Sequence, residues 1–175
     1  MTDDFVPTTI VTDNGEMHIQ DFLVKYQQAP SVSQVRPRAG KMTKEVETAL
    51  EEHRSVVIGP SNPISSIGPI LNVNGMRQVL KDRFVIAVSP IVRGEPISGP
   101  ARKFMESCGL PVSSLGVAEF YSDFLDVLIV DHRDDTSQSD LPGDIELLRT
   151  DTIMYGIEQS KKLATEIVRL LAPQS

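Results

Sequence analysis

Residues 55–70 read SVVIGPSNPISSIGPI: a short run of β-branched residues, Val56, Val57 and Ile58, passes directly into a loop with two Gly, three Pro, three Ser and one Asn. An apolar run without polar alternation is the pattern of a strand buried on both faces, as in a parallel sheet covered by helices. Three further runs repeat it, RFVIAV from Arg83, DVLIV from Asp126 and DIELL from Asp144. Helical spacing fills the intervals, over residues 74–81, 98–107 and 113–121. A closing helix over 155–171 carries Ile157, Ala164, Ile167, Val168 and Leu171 as its expected core stripe. Strand and helix alternation predicts an α/β fold: a three-layer, doubly wound, mainly parallel sheet of Rossmann-like type.

Upstream the pattern changes. TTIVTDNGEMHIQDF places Asn14-Gly15 between short extended runs, the signal of a two-residue turn, so a small N-terminal β-hairpin is expected. Ile19, Phe22, Leu23 and Tyr26 follow at helical spacing, residues 32–38 read as extended, and Thr43 caps a helix over TKEVETALEEH. The whole chain, 1–175, is expected to form a single α/β domain.

Composition narrows the partners. The 175 residues carry 17 Lys+Arg against 24 Asp+Glu, a net charge of −7, which disfavours a general attraction to nucleic acid or anionic lipid. No apolar run approaches the roughly 18 residues of a membrane span, and the acidic start MTDDFVPTTI is unlike a secretory signal, so a cytoplasmic protein is expected. Cys108 is the single cysteine, expected to be a buried structural thiol, and His18, His53 and His132 lie in no metal-binding spacing.

In an open parallel sheet, ligands bind beyond the carboxyl ends of the strands. The loop after Ile58 lies there. Gly59 would let the chain turn, Pro60 and Pro63 would stiffen it, and Ser65 or Ser66 would cap a short helix whose unpaired amides face an anion. It matches neither a Walker A loop nor a GxGxxG fingerprint, so a phosphate cradle and a plain strand-to-helix connection both fit. At the same edge, Ser89 follows the RFVIAV strand, Ser98 precedes Pro100 as a helix cap, and Thr152 follows the last strand. Asp131, Asp134 and Asp135 read as a solvated charged loop.

The segments IGPSNPISSIGPIL, NGMRQVL, VIAVSPIVRGEPISGPARKFMESCGLPVSSLGVAEFYSDFLDVLIVD, RTDTIM and MTDDFVPTTIVTDNGEMHIQDFLV resemble the 2-phospho-L-lactate transferase family, which builds the deazaflavin coenzyme F-420. Family chains are longer and open on a GGTG-like strand, loop and helix, so this chain is expected to be the C-terminal half of one. The resemblance implies transfer of 2-phospho-L-lactate from lactyl-diphospho-guanosine to the ribityl hydroxyl of 7,8-didemethyl-8-hydroxy-5-deazariboflavin, with GMP released and Mg2+ as cofactor. Lactyl and enolpyruvyl donors are not distinguished. It implies substrate binding by Gly59, Ser61, Asn62, Pro63, Ser65 and Ser66, and more weakly by Asp3, Asp4, Ser89 and Ser98, and leaves the catalytic base and metal ligands unassigned. Two alternatives are a related family of nucleotide-sugar-binding regulators of carbon metabolism, whose loop lacks the SNP run, and a ligand-binding fragment without turnover. A sheet deprived of neighbouring strands would expose an edge, so a homodimer or higher assembly is expected.

Overall fold

A computed structural model describes residues 1–97 and 99–171. Four strands, β4 (Ser55–Ile58), β5 (Phe84–Val88), β8 (Val127–Asp131) and β9 (Glu146–Thr150), form one parallel sheet in the order β4-β5-β8-β9. These are the four apolar runs of the sequence. Side chains alternate between two cores: Val85, Ala87, Leu128 and Val130 point to one, and Ile86, Val88, Val127 and Ile129 to the other.

The first core is roofed by the helices between the strands, α2 (Gly68–Leu71), α3 (Met76–Leu80), α4 (Ala101–Ser107) and α5 (Ser114–Tyr121). The second is covered by the closing helix α6 (Ile157–Leu171) through Leu163, Ile167, Leu170 and Leu171. Three layers result, as the alternation predicts. The phase of the α6 stripe differs from the expected one, because Ile157 is 71% and Val168 63% exposed while Leu163 is buried. Burial on both faces also holds only for β5 and β8. The strands β4 and β9 are sheet edges, and Val57, on the same face as Ile86, is 43% exposed because α6 does not extend over the β4 edge.

The N-terminal element is larger than a hairpin. Strands β1 (Thr8–Thr12) and β2 (Gly15–His18) pair as expected, and β3 (Val32–Pro37) adds to β1 to give an antiparallel sheet in the order β2-β1-β3. Thr12 pairs with Gly15, so Asp13-Asn14 form the turn and Gly15, at φ +97°, opens β2. The expected helix after it is a single π-helical turn, Asp21–Lys25, whose Phe22 is fully buried against Phe104 of α4, ring centroids 5.6 Å apart. Lys103 Nζ donates to the carbonyls of Gln28, Ala29 and Pro30 at 2.5, 3.1 and 3.2 Å, tying this sheet to α4. Helix α1 (Lys44–Glu52) starts at Thr43 as expected, with the Thr43 hydroxyl accepting from Val46 N–H.

A two-stranded ribbon unforeseen in the sequence, β6 (Ile91–Val92) with β7 (Glu95–Pro96), projects from the end of β5. Its turn residues Arg93 and Gly94 both have positive φ, 54° and 71°, the geometry of a tight hairpin turn.

Candidate functional site

The loops leaving the carboxyl ends of β4, β5 and β9 converge on a cleft of about 540 Å³. Pro60, Ser61, Asn62, Ser65 and Ser66 form one wall, and Thr152, Ile153, Met154 and Tyr155 another. Leu23, Pro90, Ile97, Gly99, Pro100 and Ala101 close it. Four of the residues that the sequence singles out, Ser61, Asn62, Ser65 and Ser66, therefore lie together on one wall. Gly59 and Pro63 do not line it, and Pro63 is buried beneath the loop.

The helix after this loop is capped differently from the expectation. Asn62, not Ser65 or Ser66, is the cap of the π-helical turn Pro63–Ile67 that leads into α2: its Oδ1 accepts from Ile64 N–H at 3.0 Å and Ser65 N–H at 3.1 Å. Its backbone carbonyl accepts from Ser66 and Ile67, both at 3.1 Å, and Pro63 has no N–H to offer. The amides expected to face an anion are thus all occupied within the loop. The single buried side-chain polar atom without a partner among the described residues is Nδ2 of the same Asn62. With Oδ1 committed to the cap, this end of the amide can only donate.

The opposite wall hangs from a buried carboxylate. Asp131, at the end of β8, is fully buried, and its Oδ2 accepts from Thr152 N–H at 2.9 Å and Thr152 Oγ1–H at 3.1 Å. Its Oδ1 accepts from Arg133 N–H at 2.9 Å and Arg133 Nε–H at 2.7 Å. Burial by itself would raise the Asp131 pKa, but the hydrogen bonds from Arg133 and Thr152 and the guanidinium charge outweigh it and hold the carboxyl below its ordinary value. Arg133 also donates to Asp151, and the Tyr155 hydroxyl approaches it. Of the three aspartates read as a solvated loop, Asp131, Asp134 and Asp135, only Asp135 is exposed. Asp134 is buried too, accepting from Ser114 Oγ–H at 3.2 Å and Thr136 N–H at 3.0 Å. Thr152 anchors the wall and does not cap α6, which begins at Ile157.

The remaining candidates lie elsewhere. Ser89 is completely buried, with its hydroxyl 2.8 Å from that of Ser114 and accepting from Ile91 N–H at 3.1 Å, which is a structural position behind the cleft. Ser98 lies outside the described residues, and the helix it was expected to cap has Pro100 at its N-cap. Asp3 and Asp4 are exposed and do not line the cleft, and Asp4 accepts from Lys41 N–H at 2.7 Å. Cys108 is exposed, contrary to the expected buried thiol.

Magnesium calls for several oxygen ligands in octahedral geometry. The grouping of carboxylates with a third donor found among the described residues is Asp131, His132 and Asp151. There the guanidinium of Arg133 already bridges the two carboxylates, and the third member is an imidazole. These residues do not fit a magnesium ion.

Fold and site together define a Rossmann-like α/β protein with a ligand-sized cleft beyond the carboxyl edge of its parallel sheet. The chain belongs to the family 2-phospho-L-lactate transferase CofD, whose profile matches residues 1–168. It is 45% identical over 173 residues to the 2-phospho-L-lactate transferase of Methanosarcina mazei and 47% identical over 174 residues to that of Methanosarcina acetivorans. Each alignment covers 97% of this chain and 57% of the relative, so the chain spans a little over half the length of these curated relatives. Two crystal structures of a Bacillus halodurans protein, one described as a member of the upf0052 family, share the fold. Their TM-scores are 0.64 and 0.56 at 12% and 13% identity, over 95% of this chain and 60% and 59% of theirs. No helix among the described residues is long and apolar enough to cross a membrane.

Proposed function

We propose that this chain carries a substrate cleft of a 2-phospho-L-lactate transferase acting in coenzyme F-420 biosynthesis, and that the cleft between the 60–66 loop and the 152–155 segment holds the reacting end of a substrate. The convergence of Ser61, Asn62, Ser65 and Ser66 with the loop after β9 at the sheet's carboxyl edge carries this reading. Family membership supports it.

In the reaction, the terminal ribityl hydroxyl of the deazaflavin attacks the lactyl-bearing phosphorus of lactyl-diphospho-guanosine. The new O–P bond replaces the bond to the bridging oxygen, which leaves on GMP, and the hydroxyl proton passes to a base or to solvent. Such a transfer depends on an in-line approach and on neutralising the diphosphate. Magnesium, where the reaction uses it, would supply neutralisation of the charge on the diphosphate. The uncharged walls suit positioning a hydroxyl; they supply no charge for the diphosphate.

The test incubates this chain with magnesium, the deazaflavin alcohol and lactyl-diphospho-guanosine, beside a family-length relative, and follows products by mass spectrometry. Phosphodiester and GMP in equal amounts from both proteins support the reading. GMP and phosphodiester from the relative alone would refute the sufficiency of this chain.

A further inference from the structure

The segment 151–155, which carries the cleft's second wall, runs between β9 and α6 without regular structure. Among the described residues, none of its backbone N–H or carbonyl groups bonds to another backbone group. Its hydrogen bonds run to side chains instead: Thr152 N–H and Oγ1–H donate to Asp131, and Ile153 N–H donates to Asp151 Oδ1 at 3.3 Å. The place of such a segment is decided by whatever fixes those two carboxylates, and one side chain touches both. We infer that Arg133 is a positioning residue of the proposed transferase, and that the planar fork of its guanidinium, beyond its charge, sets the 151–155 segment against the 60–66 loop. The inference rests on the transferase reading and adds to it a residue that does not line the cleft.

The first observation is the reach of the guanidinium. Nε–H donates to Asp131 Oδ1 at 2.7 Å and Nη2–H to Asp131 Oδ2 at 3.2 Å, a two-point contact with a carboxylate that is fully buried at the end of β8. Nη2 also donates to Asp151 at the start of the segment, and the Tyr155 hydroxyl lies beside the same group at its far end. A guanidinium delivers N–H groups in fixed directions within one plane, whereas an ammonium is a point charge that cannot hold two carboxylates in register.

The second is the base from which Arg133 acts. Its own N–H donates to Asp131 Oδ1 at 2.9 Å, so the fork is mounted on a rigid strand end. The strands do not depend on it, because β8 and β9 pair through their backbones as far as Asp131 and Thr150. Loss of the fork therefore frees Ile153, Met154 and Tyr155 without opening the sheet. Holding an irregular segment in one conformation costs entropy that only its contacts offset, and a wall that wanders binds and orients a substrate less well.

The test compares the wild-type chain with Arg133→Lys, which keeps the charge and loses the fork, and with Asp151→Ala, which removes the outer anchor at a half-exposed position. Thermal melting, backbone amide exchange and phosphodiester formation at varied substrate concentrations are measured for each. Both variants should melt close to wild type. Both should exchange the Thr152 amide about tenfold faster, while the amides of Leu128, Ile129 and Val130 keep their protection. Turnover should show KM raised about tenfold with kcat little changed, whereas a merely structural role would lower the active fraction, and so kcat, and leave KM alone. Wild-type exchange at Thr152 in both variants would overturn the inference, as would turnover at wild-type KM. A wild-type chain without turnover would count against the sufficiency of this chain, and the exchange rates would still decide the role of Arg133.

Discussion

Replacing Asn62 separates the two tasks that this one side chain performs. Asn62→Ala leaves Ile64 N–H and Ser65 N–H without their acceptor, and loss of such a cap costs about 0.5–2 kcal/mol. It also deletes the orphaned Nδ2, whose buried and unpaired state costs roughly 1–3 kcal/mol in the wild type, so the two effects oppose. A serine keeps one acceptor at the cap and removes the orphan. Asn62→Ser should therefore be at least as stable as wild type, and more stable than Asn62→Ala by about 1 kcal/mol. At this chain length a difference of about 1 kcal/mol corresponds to roughly 2–4 °C in Tm. Thermal melts and urea titrations of the three proteins measure it. An Asn62→Ser protein less stable than Asn62→Ala would refute the capping argument.

Three further outcomes follow from the packing. Asp131 has a folded pKa depressed below its unfolded value near 3.9, so its contribution is complete above that pH and is lost as pH falls through the folded value. Asp131→Asn should cost about 2 kcal/mol at pH 7, by hydrogen bonds to a charged group, and should flatten the fall in Tm below about pH 4; an unchanged acid profile would contradict this. Gly116 lies where an added Cβ would sit 2.0 Å from the Pro111 carbonyl oxygen, so Gly116→Ala should destabilise by roughly 3 kcal/mol in a denaturant titration, and a neutral result would show the helix start can shift. The edge strand β4 pairs with β5 alone and leaves Val57 exposed beside Phe84, so sedimentation velocity should detect concentration-dependent association that Val57→Lys weakens. A monomer at all concentrations would argue against it.

The parallel sheet was legible because each strand is a compact apolar run, and a run of that kind has few other uses in a chain of this size. Its edges were not, since Val57 and Ile86 are chemically alike and only the neighbouring elements decide which is covered. The β6–β7 ribbon escaped notice because two-residue strands carry no periodicity, although Arg93-Gly94 marked a turn. At the site, one wall could be read from the polar loop that follows Ile58. The other wall could not: nothing in the residues themselves separates Thr152 after the last strand from an ordinary helix cap. The signal was present in three large side chains, Ile153, Met154 and Tyr155, separated by two residues from the end of a strand. Asp131 was misread for a similar reason. An aspartate amid charged residues suggests solvent, and only the fold brings Thr152 across to satisfy it in the interior.

The assignment of this cleft as the substrate site is tested most directly by a crystal structure of the chain soaked with the deazaflavin alcohol. Ring density against Tyr155 and Met154, with the ribityl chain within hydrogen-bonding distance of Ser61, Asn62 or Ser65, is the predicted result. Well-ordered ligand bound elsewhere, with the cleft holding only solvent, would contradict it.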